Sequence, residues 1–182
     1  IPPKDIQTYD NKDRIDINQL TTSAKGIEEL KKSESFRAKA YDDFKPNVTL
    51  TKDTVIQGTL TIGYGFTKAV VPNLSWDSTL TEEEASTLLA KVLKDDYEKR
   101  LKRDIKVPLK QSEFDSLVGI IFNAGEIGNS SAGNETPLKN YINTKRYREA
   151  AEIIPFYRTT SKGIPLAGLV KRREEEKLLY LS

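Results

Sequence analysis

The chain has 182 residues, 37% hydrophobic and 31% charged, a size and composition suited to a single domain. Twenty-nine Lys and Arg against 27 Asp and Glu leave a net charge of +2, too little for a general attraction to nucleic acid or acidic membranes. Without Cys or His, disulfide frameworks, thiol nucleophiles, the usual zinc sites and every Ser-His-Asp triad are excluded, so acid–base chemistry falls to carboxylates, Lys or Tyr. No apolar run approaches the ~18 residues of a bilayer span. The chain has no Met and starts at Ile1, which points to a processed product or an excised fragment.

Residues 1–22 carry early prolines and many charges without a sustained period, and read as a linker or N-terminal arm. Ser23 is a plausible N-cap for a helix in which Ala24, Ile27, Leu30 and Glu34 share one face. The runs VTL (48–50), TVI (54–56) and TLTIGYG (59–65) predict a hairpin or a small three-stranded sheet. Thr81 and Glu84 form a capping box that opens a long helix running on toward Pro108. Ser112 with Asp115 is expected to cap the next helix, whose Phe114, Leu117, Val118, Ile121 and Phe122 mark a buried face and hence the central core helix. Gly125 and Gly128 close it, Thr136 and Pro137 open another, and two more follow at 146–154 and about 168–179. One helix, a small sheet and then five helices make an α+β chain rather than alternating βαβ units.

Glu34 ends an apolar stripe at a helix C-terminus, where desolvation and the helix dipole both favour the protonated acid, the form a general acid requires. Asp43, nine residues on, falls in a turn whose more polar setting suits a carboxylate that stays ionised. Thr61 and Gly63 alternate with Ile62 and Tyr64, so Thr61 is expected to face a cleft while Ile62 enters the core. Gly63-x-Gly65 is no phosphate loop, because no helix follows it directly. Residues 91–110 hold eight basic and four acidic side chains, which suits an anionic polymer, but aromatics do not interleave with them as a single-strand nucleic-acid platform requires.

Glu34, Asp43 and Thr61 within TIGYG, followed by VPLKQSEFDSLVGIIFNAG (107–125), TPLKNYIN, YREAAEIIPFYR and GLVKRREEEKLL (168–179), resemble in order the phage-type lysozymes, glycoside hydrolase family 24. The resemblance implies a lysozyme-like two-lobed α+β fold over 23–182, with a small lobe at 23–80 and a helical lobe at 81–182. It implies a muramidase that cuts the β-1,4 bond between N-acetylmuramic acid and N-acetylglucosamine in peptidoglycan, with Glu34 as general acid and Asp43 and Thr61 positioning and activating water. Thr67, Phe122, Asn123 and Leu138 fall where the family lines its saccharide cleft. The resemblance implies neither metal nor cofactor, a monomer, and action in the periplasm or at the bacterial cell wall, with peptidoglycan glycan strands as partner and without nucleic acid or membrane insertion. It leaves room for an immunity or inhibitor protein or a fused delivery domain. Phe66 stands where the family usually has His, and the segment between Asp43 and Thr61 is longer than in the shortest members. The alternative is a catalytically silent lysozyme-like scaffold that binds peptidoglycan or a protein partner. Arg172, Arg173 and Glu176 read as scaffold ion pairs.

Overall fold

The computed structural model describes residues 13–182 and is α+β, as the order of elements predicts. The first-named elements are α1 (Ala24–Glu34), β1 (Arg37–Asp42), β2 (Leu60–Gly63) and α2 (Glu82–Val92). A π-helical turn (Leu93–Tyr97) leads to α3 (Glu98–Asp104), α4 (Gln111–Ala124), α5 (Pro137–Asn143) and α6 (Tyr147–Ile153). A two-residue hairpin, β3 (Thr160–Ser161) and β4 (Ile164–Pro165), precedes α7 (Ala167–Leu181).

The described residues form two compact units, one of residues 28–92 and one of residues 13–27 together with 93–182. Residues 23–27 and 81–92 therefore belong to the units opposite to those expected from the sequence.

In the 28–92 unit, β1 and β2 pair antiparallel with Tyr41 opposite Thr61 and Asp42 opposite Leu60. The strand RAKAYD was not anticipated, since Ala and Lys are poor strand formers. It forms because both its edges are paired: Lys39 bridges Thr79, Ala40 N–H donates to Ser78 O and Leu80 N–H donates to Ala38 O. The expected strands at 48–50 and 54–56 are irregular instead. Their loop is gathered by the buried Asp42 carboxylate, which accepts the N–H groups of Phe44 (3.0 Å), Gln57 (2.7 Å) and Gly58 (3.0 Å). Three donors on one carboxylate hold its pKa below the ordinary value, with the Gln57 N–H the leading cause. Phe66, where the resemblance implies His, is core: it is 2% exposed, edge-on to Tyr64 at 6.2 Å, and tied to Ile62 by reciprocal backbone hydrogen bonds. The Thr81–Glu84 capping box is formed, with both N–H groups bonded.

In the other unit, α4 is the central helix, and Phe114, Leu117, Val118, Ile120 and Ile121 are fully buried. Ser112 and Asp115 do not cap it. Glu113 accepts the Lys110 N–H at 2.7 Å, while Ser112 Oγ donates to Tyr180 O and Asp115 accepts the N–H and hydroxyl of Ser23. Asp115 thereby holds the first turn of α1, where Gly26 is required: a Cβ there would lie 2.6 Å from Asp115 Cγ. Ser116 Oγ donates to Glu176 O at 2.6 Å, fastening α7 along α4. Thr136 and Pro137 open α5 as expected, the Thr136 hydroxyl accepting the Lys139 N–H.

Part of the segment read as a linker or arm is packed. Ile17 and Leu20 are buried, Ile15 pairs with Leu109, and Arg14 forms an ion pair with buried Glu113 at 2.8 Å while lying over the Tyr147 ring. Residues 1–12 of that reading lie outside the described residues.

Candidate active site

Glu34, Asp43 and Thr61 all belong to the 28–92 unit. Glu34 is the last residue of α1, and Ser35 leaves the helix in the left-handed region at φ +51°. Phe36 then packs against Tyr64 of the IGYG turn, the rings tilted with centroids 5.6 Å apart. The half-buried Glu34 carboxylate consequently reaches that turn: a Cβ on Gly65 would lie 4.0 Å from Glu34 Oε2.

Asp43 follows β1 and continues its ladder. Its N–H donates to Thr59 O at 3.1 Å, and its Oδ1 accepts the Thr59 N–H at 2.6 Å. Thr61 is only 5% exposed rather than facing freely outward, and its hydroxyl donates to Thr59 O at 2.9 Å. The two peptide groups flanking Thr59 thus orient both side chains. The committed proton leaves Thr61 Oγ1 with lone pairs only, so toward any further partner it acts as an acceptor. Asp43 is exposed and Asp42 buried, which assigns the neighbouring aspartates separate tasks, Asp42 holding the loop and Asp43 available for chemistry.

The sequence marked Gly58 only as a turn residue and Thr59 only as the start of a predicted strand, with no role in the site for either. Gly58 is required by close approach, since a Cβ there would stand 2.1 Å from Asp43 Oδ1 and 2.9 Å from Asp42 Oδ1. Tyr41, register partner of Thr61, was also overlooked. Its spacing of two from Asp43 is the pattern that could have revealed it. Thr67 is half-buried and lines a shallow groove with Ile56, Gly58, Thr59, Leu60 and Lys68.

The remaining expected saccharide residues belong to the other unit. Phe122 is half-buried with its ring 4.9 Å from that of Tyr97. Asn123 is exposed, yet its Oδ1 accepts 2.7 Å from Nη2 of the wholly buried Arg173. Arg173 also donates to Tyr157 O and, with Arg172, to Glu176, so the expected ion pairs are formed. Burial pushes the Glu176 carboxyl up to about 7 against the pull of both guanidinium groups. Leu138 is 1% exposed, which corrects its expected place on a saccharide surface: at the second position of α5 its side chain is core. Among the described residues no group of three or more acidic side chains is arranged to hold a metal ion, and no helix is long and apolar enough to cross a membrane.

A glutamate at a helix end, a hairpin bearing a carboxylate and a threonine, and a helical unit around one buried helix define a lysozyme-like α+β protein. Residues 31–176 match the family model for phage lysozyme, and the chain belongs to that family. It is 34% identical to the endolysin of Salmonella phage P22 over 90% of this chain and 99% of that protein. It is 32% identical to the endolysin of Acyrthosiphon pisum secondary endosymbiont phage 1 over 88% of this chain and 97% of that protein. Among solved structures, a mutant of P22 lysozyme superposes with a TM-score of 0.70 at 31% identity, covering 90% of this chain and 100% of that chain. The muramidase domain of SpmX from Asticaccaulis excentricus also scores 0.70, at 26% identity, covering 90% of this chain and 99% of that one.

Proposed function

We propose that the chain is a peptidoglycan hydrolase of the muramidase type, cleaving the β-1,4 bond between N-acetylmuramic acid and N-acetylglucosamine at the bacterial cell wall. The observation that carries this reading is the shared anchoring of Asp43 and Thr61 on Thr59, in the same unit as the Glu34 carboxylate. It supplies one carboxylate and one hydroxyl acceptor that can hold a single water by its two protons.

In the proposed reaction the Glu34 carboxylic acid passes its proton to the glycosidic oxygen as the bond from that oxygen to the anomeric carbon breaks. Water attacks the carbon from the opposite face and gives a proton to Asp43, so the configuration inverts. Inversion requires room for the water, with carboxyl groups about 6.5–9.5 Å apart.

The test is clearing of purified peptidoglycan by wild type and Glu34→Gln, with soluble products identified by mass spectrometry. Fragments ending in reducing N-acetylmuramic acid, released by wild type alone, are the expected result. Co-sedimentation with peptidoglycan without products from either protein would replace the reading by that of a binding scaffold.

A further inference from the structure

Tyr41 has no part in the reaction as described, yet the hairpin places it against the residues that do. It is the register partner of Thr61 across β1 and β2. Directly opposed residues of an antiparallel pair project from one face with Cβ atoms about 4.5–5.5 Å apart. Asp43, two residues further along, continues the ladder through its hydrogen bond to Thr59 O, so side-chain alternation sets Tyr41, Asp43, Thr59 and Thr61 on one face. The half-buried ring is held in place by Arg37, whose guanidinium carbon lies 4.2 Å from the ring centroid and whose Nη2 donates to Pro46 O at 2.7 Å. Burial, followed by the charges of Asp43 and Glu34, pushes the phenol up more than Arg37 draws it down. The hydroxyl therefore keeps its proton, and it lies in the field of both carboxylates.

The hydrogen-bond inventory of the water defines what that proton can do. Thr61 can only accept from the water, because its own proton is committed to Thr59 O. Asp43 accepts the other water proton. A water with both protons so committed has two lone pairs, one for the anomeric carbon and one open to a donor. We propose that Tyr41 is that donor, completing with Asp43 and Thr61 a three-point hold on the attacking water. The assignment rests on the muramidase reading above.

Tyr41→Phe removes the hydroxyl and keeps the ring on Arg37. The measurements are kcat and KM on a soluble peptidoglycan oligosaccharide, the unfolding temperature, and a carbon-13 carboxyl NMR titration of Asp43 in both proteins. We expect kcat to fall roughly tenfold or more through loss of positioning. KM and the unfolding temperature stay near their wild-type values, and the Asp43 titration moves upward because the water that donates to its charged form is no longer held by Tyr41. An unmoved Asp43 titration overturns the assignment, whatever happens to turnover, and so does a shift in titration with unchanged kcat. If wild type itself releases no product, the muramidase reading fails separately, and with it the reacting water assigned to Tyr41; a shifted Asp43 titration would then show only that the two side chains are coupled.

Discussion

Gly58 and Asp43 are in contact so close that no side chain fits between them, since a Cβ at Gly58 would sit 2.1 Å from Asp43 Oδ1. The glycine lets the chain pass beside the carboxylate and deliver the next N–H, that of Thr59, to the same oxygen. Gly58→Ala is therefore expected to displace Asp43 and to lower peptidoglycan clearing by roughly tenfold or more, since catalysis is sensitive to misplacement of about 1 Å. The unfolding temperature should fall far less than the activity. Undiminished clearing by the variant would show that Asp43 does not need this geometry.

Asp42 binds the loop that carries Gly58 and Thr59, and its depressed pKa makes that support dependent on pH. For a carboxyl depressed in the folded state, the stabilisation is present above the unfolded value, near 3.8, and is lost as pH falls through the folded value. The unfolding temperature of the wild type should therefore fall as the pH drops below about 4, with Asp42→Asn showing a weaker dependence there. Parallel curves for the two proteins would remove Asp42 from this role. At neutral pH the same variant should loosen 43–59, read as faster amide exchange at Gln57 and Gly58.

Arg173 anchors the second unit from within, wholly buried and donating to Glu176, Tyr157 O and Asn123. Its removal leaves Glu176 buried without one of its two partners, and Arg173→Ala is expected to cost about 3–5 kcal/mol in chemical denaturation. A loss below 1 kcal/mol would mean that water replaces the guanidinium at little cost.

Glu176 itself contributes with the opposite pH sense to Asp42. Its folded-state value of about 7 exceeds the unfolded one of 4.5, so its contribution is complete below 4.5 and declines as pH rises toward 7. Between those values wild-type stability should decline more steeply with pH than that of Glu176→Gln. Equal slopes would contradict the raised value.

Phe66 offers a test of the His that the resemblance implies at this position. Because the ring is 2% exposed and packs on Tyr64 and beneath Gly63, Phe66→His should destabilise this chain by about 1–3 kcal/mol through burial of unpaired ring nitrogens. A variant as stable as wild type in urea unfolding would show that the imidazole finds partners that Phe66 does not need.

Much of the helical framework was legible in the sequence, because capping and amphipathic periodicity act over a few residues. The Thr81–Glu84 box, the Thr136–Pro137 start and the buried stripe of α4 follow from such local terms. The order of motifs around Glu34, Asp43 and Thr61 likewise sufficed to indicate the family to which the chain belongs. Tertiary structure decided the rest. RAKAYD is a strand because two distant segments supply its hydrogen-bond partners, whereas VTL and TVI, better strand formers, have no paired edge. Ser112 and Asp115, which suit a local cap, are drawn instead to Tyr180 and Ser23. The same holds at the site: Thr59 orients Asp43 and Thr61, and Arg173 reaches Asn123 across 50 residues of sequence. Such partners are chosen by which groups meet when the chain folds, and residue spacing records only the contacts between near neighbours in the chain.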